Sequence, residues 1–151
     1  MSAYDPGTVD AVPPTREFTA LWIAYGLHAI GFVSMLIWPA IIGLVINYAK
    51  RGDSASFLDS HHRWLIRTFW LALLGYALSI GLVVASAWPV VAAAIRSATT
   101  PAGTLSIDWD TLFATIGGAT VGAIGIVAVW AWVIYRLIRG GLRLQEARPV
   151  P

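Results

Sequence analysis

Three apolar stretches separated by two polar ones organise this chain. Phe18 to Tyr48 carries no formal charge. As one straight helix it would be about 46 Å long, against a bilayer hydrocarbon core of about 30 Å. Such a stretch must tilt and overrun the core, or break. Gly31, Ser34 and Pro39 are its weak points, and Pro39 removes a backbone donor and crowds the turn near Met35. The pattern predicts a break between Gly31 and Pro39. The result is a kinked span or a hairpin of two short helices, roughly Phe18–Phe32 and Ile37–Tyr48. A break inside the bilayer has to be shielded by protein, because lipid satisfies no loose backbone groups.

The second apolar run, Trp64 to Trp88, is interrupted by Arg67 alone and is long enough to cross with some tilt. Pro89 and Arg96 mark its expected far end. The third runs from Thr111 to Ile138 and is uncharged until Arg136. Asn47 to His62 reads as a polar loop, and so does Ser97 to Asp110, with Thr99, Thr100, Pro101 and Gly103. Thr15, Asp59 or Ser60, and Asp110 are the expected helix caps. Asp59 and Arg63 lie four apart, a spacing that brings side chains together on a helix. Trp64, Trp70, Trp88, Trp109, Trp132 and Tyr135 stand near the proposed helix ends, where the headgroup layer favours such rings. Residues 1–16, with Pro6, Gly7, Pro13 and Pro14, read as a flexible arm without the features of a secretory signal. The membrane domain is then 17–143, followed by a cytoplasmic tail, 144–151.

Composition sharpens this picture. Of the 151 residues 58% are hydrophobic and 12% charged, far from the balance of a soluble globule. The expected fold class is all-α, a polytopic membrane helical bundle. There is no cysteine, which excludes disulfides, thiolate metal sites and cysteine nucleophiles. A net charge of +2 gives no reason to expect a nucleic-acid partner. The placement of charge is more informative. Lys50, Arg51, Arg63 and Arg67 surround the first polar loop, and Arg136, Arg139, Arg143 and Arg148 follow the last span. Arg96 stands alone near the second loop and Arg16 near the start. The positive-inside rule puts the two basic segments in the cytoplasm and the 96–110 loop outside. The expected location is the bacterial inner membrane, with a cytoplasmic C-terminus.

Candidate chemistry is sparse. No span holds an acidic residue, and the chain has no GxSxG, phosphate loop or HExxH. No catalytic residue, metal site or required cofactor is expected, and the protein reads as a non-enzyme. His28 is the one basic side chain within the apolar interior, away from the ends of the runs. It is either a neutral histidine bonded to a neighbouring helix or a one-sided cofactor ligand or proton carrier. His61 and His62 are adjacent, so on a helix they point in different directions and pair poorly on a metal. They read as an interfacial cluster. Lys50, Arg51, Arg63, Arg67, Arg136, Arg139 and Arg143 form a candidate docking surface for anionic lipid headgroups or an acidic partner subunit. Ala77, Gly81 and Ala85 in the second run, and Gly118 and Gly122 in the third, have the small-residue spacing of close helix packing.

Four stretches carry a family resemblance. They are Tyr25-Gly-Leu-His28-Ala-Ile-Gly31-Phe32, Ile46-Asn47-Tyr48-Ala-Lys50-Arg51, Ser60-His61-His62-Arg63-Trp64-Leu-Ile-Arg67-Thr68-Phe69-Trp70 and Tyr135-Arg136-Leu-Ile-Arg139-Gly140. Together they resemble the small bacterial inner-membrane proteins of the DUF4870 (Tic20-like) group, over about residues 20–145. The resemblance implies a small multi-pass protein and a link to protein translocation or membrane insertion, without any catalytic or pore residue. Three functions follow as expectations: a non-catalytic structural or accessory subunit of a larger membrane complex, a Tic20-like component, or a His28-centred cofactor-binding or transport protein.

Overall fold

A computed structural model describes residues 15–52, 56–100 and 104–150 of the chain. Most of the expected N-terminal arm lies outside the described residues. Four helices are present and no strand occurs among the described residues: α1 Thr15–Val33, α2 Ile37–Lys50, α3 Ser56–Thr99 and α4 Trp109–Gln145. The helices are grouped in two compact units. One contains the described residues up to Arg67 and those from Leu137 onward, and the other is Thr68–Arg136.

In the first unit, the first apolar stretch is broken at Ser34–Leu36. Ser34 closes α1, its N–H donating to the Ile30 carbonyl at 3.0 Å and its hydroxyl bonding the same oxygen. Met35 then takes a left-handed backbone, φ 55°. Pro39 sits in the first turn of α2, where its missing N–H would have had no helical partner. The proline therefore helps to start the second helix rather than ending the first. The two helices fold back on each other as an antiparallel hairpin. A Cβ built at Gly31 would lie 2.8 Å from Ala40 Cβ, and one at Gly43 would lie 2.5 Å from His28 Nδ1. Leu21, Ala24, Leu58 and Leu65 are fully buried in this unit, and Leu144 nearly so.

The two remaining helices are longer than expected. α3 has 44 residues and α4 has 37, or about 66 Å and 56 Å of helix. Both are long and apolar enough to cross a membrane, and α2 is a shorter apolar helix. The polar segment from Asn47 shrinks to a short connection, because Asn47 belongs to α2 and His61 and His62 to α3. At the far end α3 continues through Pro89 to Thr99. Asp59 and Ser60 thus lie inside α3, beyond its first residue. Asp59 accepts the Gly52 N–H at 3.2 Å and pairs with Arg63. The cap of α4 is Asp108 rather than Asp110. Its Oδ1 accepts the Thr111 N–H at 2.6 Å and its Oδ2 accepts the Thr111 hydroxyl at 2.9 Å. A cap must precede the first helical residue, and α4 already begins at Trp109.

Within the second unit, α3 and α4 pack along a seam of small residues. Cβ atoms at Gly118, Gly122 and Gly125 would each come to 2.5 Å from a side-chain atom of Ser86, Val83 and Ser79 respectively. The Thr115 hydroxyl donates to the Ser86 carbonyl at 2.9 Å across the same seam. Ala77, Gly81 and Ala85 are exposed, and a Cβ at Gly81 would meet nothing within 4 Å. Their ridge faces away from α4. The seam runs instead along Gly75, Ser79, Val83 and Ser86, with Gly75 against Val129.

Candidate functional site: a buried polar cluster at the helix ends

The first unit concentrates polar side chains in its interior. His28, Asn47 and His61 are 0% exposed and His62 is 1% exposed. The two adjacent histidines, about 100° apart around α3, serve separate networks. His61 Nε2 lies 3.0 Å from the Arg148 carbonyl, and its Nδ1 lies 2.9 Å from the Tyr25 hydroxyl. A carbonyl can only accept, so Nε2 carries the hydrogen of a neutral ring. Nδ1 then accepts from Tyr25. Tyr25 is fixed in turn by the close approach of α4, since any Cβ at Gly140 would run into its ring and hydroxyl.

This network reaches the chain beyond α4. Val150 is buried and its N–H donates to the Ser60 hydroxyl at 3.1 Å. Arg143 Nη1 donates to the Pro149 carbonyl at 2.9 Å. The bend that brings residues 148–150 back to α3 includes Ala147 at φ 51°. The expected tail is therefore tied to the first turns of α3 by side-chain and backbone bonds.

His62 belongs to the second network. Its Nδ1 is 2.8 Å from Asn47 Oδ1, which makes Nδ1 the donor and leaves the lone pair on Nε2. His28 lies on α1, three residues beyond Tyr25. Its Nδ1 donates to the Ala24 carbonyl at 2.8 Å, and its ring is packed against Gly43 and tilted on Phe32 at 6.2 Å. Among the described residues no group of three or more His, Asp or Glu side chains is placed to hold a metal ion.

The basic residues are distributed differently. Lys50, Arg51, Arg63, Arg67 and Arg139 are exposed, while Arg136 and Arg143 are half-buried. Arg63 is paired with Asp59. Arg136 donates from Nε to Thr68 Oγ1 at 2.9 Å, and its guanidinium lies 5.0 Å from the centre of the Trp132 ring. Such stacking is a favourable arrangement for arginine. Away from the basic ends, Asp108 stands just before α4. The Thr111 N–H and hydroxyl both bond its carboxylate and hold its pKa below the ordinary value.

Sequence reasoning gives Tyr25 and Asn47 no individual role, and Ser60 only that of a cap. Asn47 had a usable signal, a primary amide at the end of an otherwise apolar run. The others gain their roles from contacts between distant segments. No family model matches the chain, and neither does any curated protein or solved structure.

Proposed function

We propose that this chain is a non-catalytic, multi-pass membrane protein that serves as a structural or accessory subunit of a larger membrane complex. The bacterial inner membrane is its location, with residues 50–67 and the stretch after Arg139 on the cytoplasmic side. The observation that carries the reading is the exposure of its most apolar surface. None of the most apolar 18-residue window of α3, and 6% of that of α4, is covered by the chain itself. Leu78 is 67% exposed and Trp88 61%. Water would tolerate such a surface poorly, whereas acyl chains and the small-residue contacts of neighbouring membrane helices suit it.

In this reading Arg51, Arg63, Arg67 and Arg139 meet anionic lipid phosphates or the carboxylates of a partner subunit. The test is purification in mild detergent followed by native mass spectrometry of the protein and of an Arg63→Gln/Arg67→Gln variant. Co-purifying anionic lipid or a stoichiometric partner, lost or weakened in the variant, supports the reading. Equal retention in both forms reduces the arginines to a topology signal. A bound translocation component would favour the Tic20-like alternative, and a visible chromophore would favour a cofactor role for His28.

A further inference from the structure

We propose that Arg96, on the part of α3 that runs on past Pro89, holds the phosphate of a phospholipid in the outer leaflet. The site depends on α3 crossing the membrane, as proposed above, and lies at the end of that helix opposite the basic loop. Trp70, Leu74, Leu78, Gly81, Trp88 and Arg96 are all exposed. At about 100° per residue they fall within about 80° of the circumference of α3. This face is turned away from α4, and a Cβ at Gly81 would meet nothing within 4 Å. Its apolar part is bounded by two tryptophans, residues that favour the two membrane–water borders. From Trp70 to Trp88 is about 27 Å of helix, close to the hydrocarbon core of about 30 Å.

A helix ending at Pro89 would stop at the edge of that core. α3 continues to Thr99 and carries Arg96 about 12 Å beyond Trp88. Every Cα–Cβ bond of a helix leans toward the N-terminus, which for Arg96 is the direction of Trp88 and the bilayer. Its long side chain can therefore lie back toward the headgroup layer. The other end of the same pair of helices is marked by Arg136, whose Nε donates to Thr68 Oγ1 at 2.9 Å. From Thr68 to Arg96 is about 42 Å along α3, and a bilayer with its headgroup layers is about 40–45 Å thick.

The surroundings of Arg96 leave its guanidinium for an outside anion. The last carbonyls of α3 are already served. Those of Ala94, Ile95 and Arg96 accept from the hydroxyls of Ser97, Thr99 and Thr100 at 2.9, 3.0 and 2.9 Å. The Asp108 carboxylate is bonded to Thr111. Among the described residues Arg96 forms no ion pair. A guanidinium suits a phosphate through two parallel N–H···O bonds, and phosphate is the anion that a bilayer supplies at this depth.

The experiment is solid-state nuclear magnetic resonance of the full chain in bilayers of phosphatidylethanolamine and phosphatidylglycerol. Arginine is carbon-labelled at the guanidinium, and phosphorus-to-carbon dipolar dephasing reads contact with lipid phosphate. The expected result is that part of the arginine dephasing is lost in Arg96→Gln. A nitroxide on Leu78→Cys, measured with and without the Arg96 change, reports depth in the same bilayers. It should be open to oxygen and closed to a water-soluble nickel chelate in both. Unchanged dephasing in Arg96→Gln, with Leu78 still closed to the chelate, would overturn the lipid site and leave the membrane reading standing; an arginine that meets only water or a partner's carboxylate gives this result. A Leu78 label open to the chelate would overturn the membrane reading itself.

Discussion

Replacing Gly122 and Gly81, separately, by alanine tests how α3 and α4 meet. Both glycines lie inside long helices, so each substitution gains about 1 kcal/mol of helix propensity. That gain cancels when the two variants are compared. What remains is the space each new methyl group finds. At Gly122 it would lie 2.8 Å from the Ser79 carbonyl oxygen, 3.2 Å from the Val83 backbone nitrogen and 2.5 Å from Val83 Cγ2. Two of these are backbone atoms of a helix and cannot rotate away, so α3 and α4 must separate. At Gly81 the methyl meets nothing within 4 Å. Overpacking of this kind costs about 1–3 kcal/mol, which is the expected difference in unfolding free energy between the variants. Reversible unfolding of both in one detergent, followed by helix content, provides the assay. Gly81→Ala should match or exceed the natural protein, and Gly122→Ala should fall below it. Equal stability of the two variants would refute the seam, and a larger loss at Gly81 would restore the Ala77–Gly81–Ala85 ridge as the packing face.

Three further outcomes follow from individual contacts. Tyr25→Phe removes the hydroxyl that donates to buried His61 and should cost about 1–3 kcal/mol in the same unfolding assay; a neutral effect would argue against that bond. Met35→Gly relieves a left-handed backbone at the α1–α2 turn and should stabilise the protein by up to about 1 kcal/mol, measured likewise. Asp108 has its pKa lowered in the folded protein, so its capping contribution is complete above the ordinary carboxylate pKa and disappears as pH falls through the folded value. The Thr111 amide resonance should report that acid transition, and Asp108→Ala should abolish it.

The helical class is legible in the length of the apolar runs, and the break in the first run in its excess length and in Pro39. The Asp59–Arg63 pair is legible for the same local reason: residues four apart on a helix are neighbours whatever the tertiary fold. Three features were hidden. α3 carries small residues at helical spacing on two faces, Ala77–Gly81–Ala85 and Gly75–Ser79–Val83–Ser86, and periodicity cannot say which one meets α4. Pro89 looks like a stop, yet α3 runs on for ten residues beyond it. Long apolar helices tolerate proline when neighbouring groups satisfy the backbone. The interior cluster depends on contacts such as His61 with Arg148, 87 residues apart, for which local pattern holds no signal.

The membrane-spanning reading is tested most directly by topology. The chain has no cysteine, so single cysteines at Thr104, between α3 and α4, and at Glu146, just past α4, can be probed in intact cells with a membrane-impermeant thiol reagent. Both positions are exposed. The predicted result is labelling of Thr104→Cys from outside, and of Glu146→Cys only after the membrane is permeabilised. Labelling of Glu146→Cys in intact cells, or of Thr104→Cys only after permeabilisation, would contradict the account.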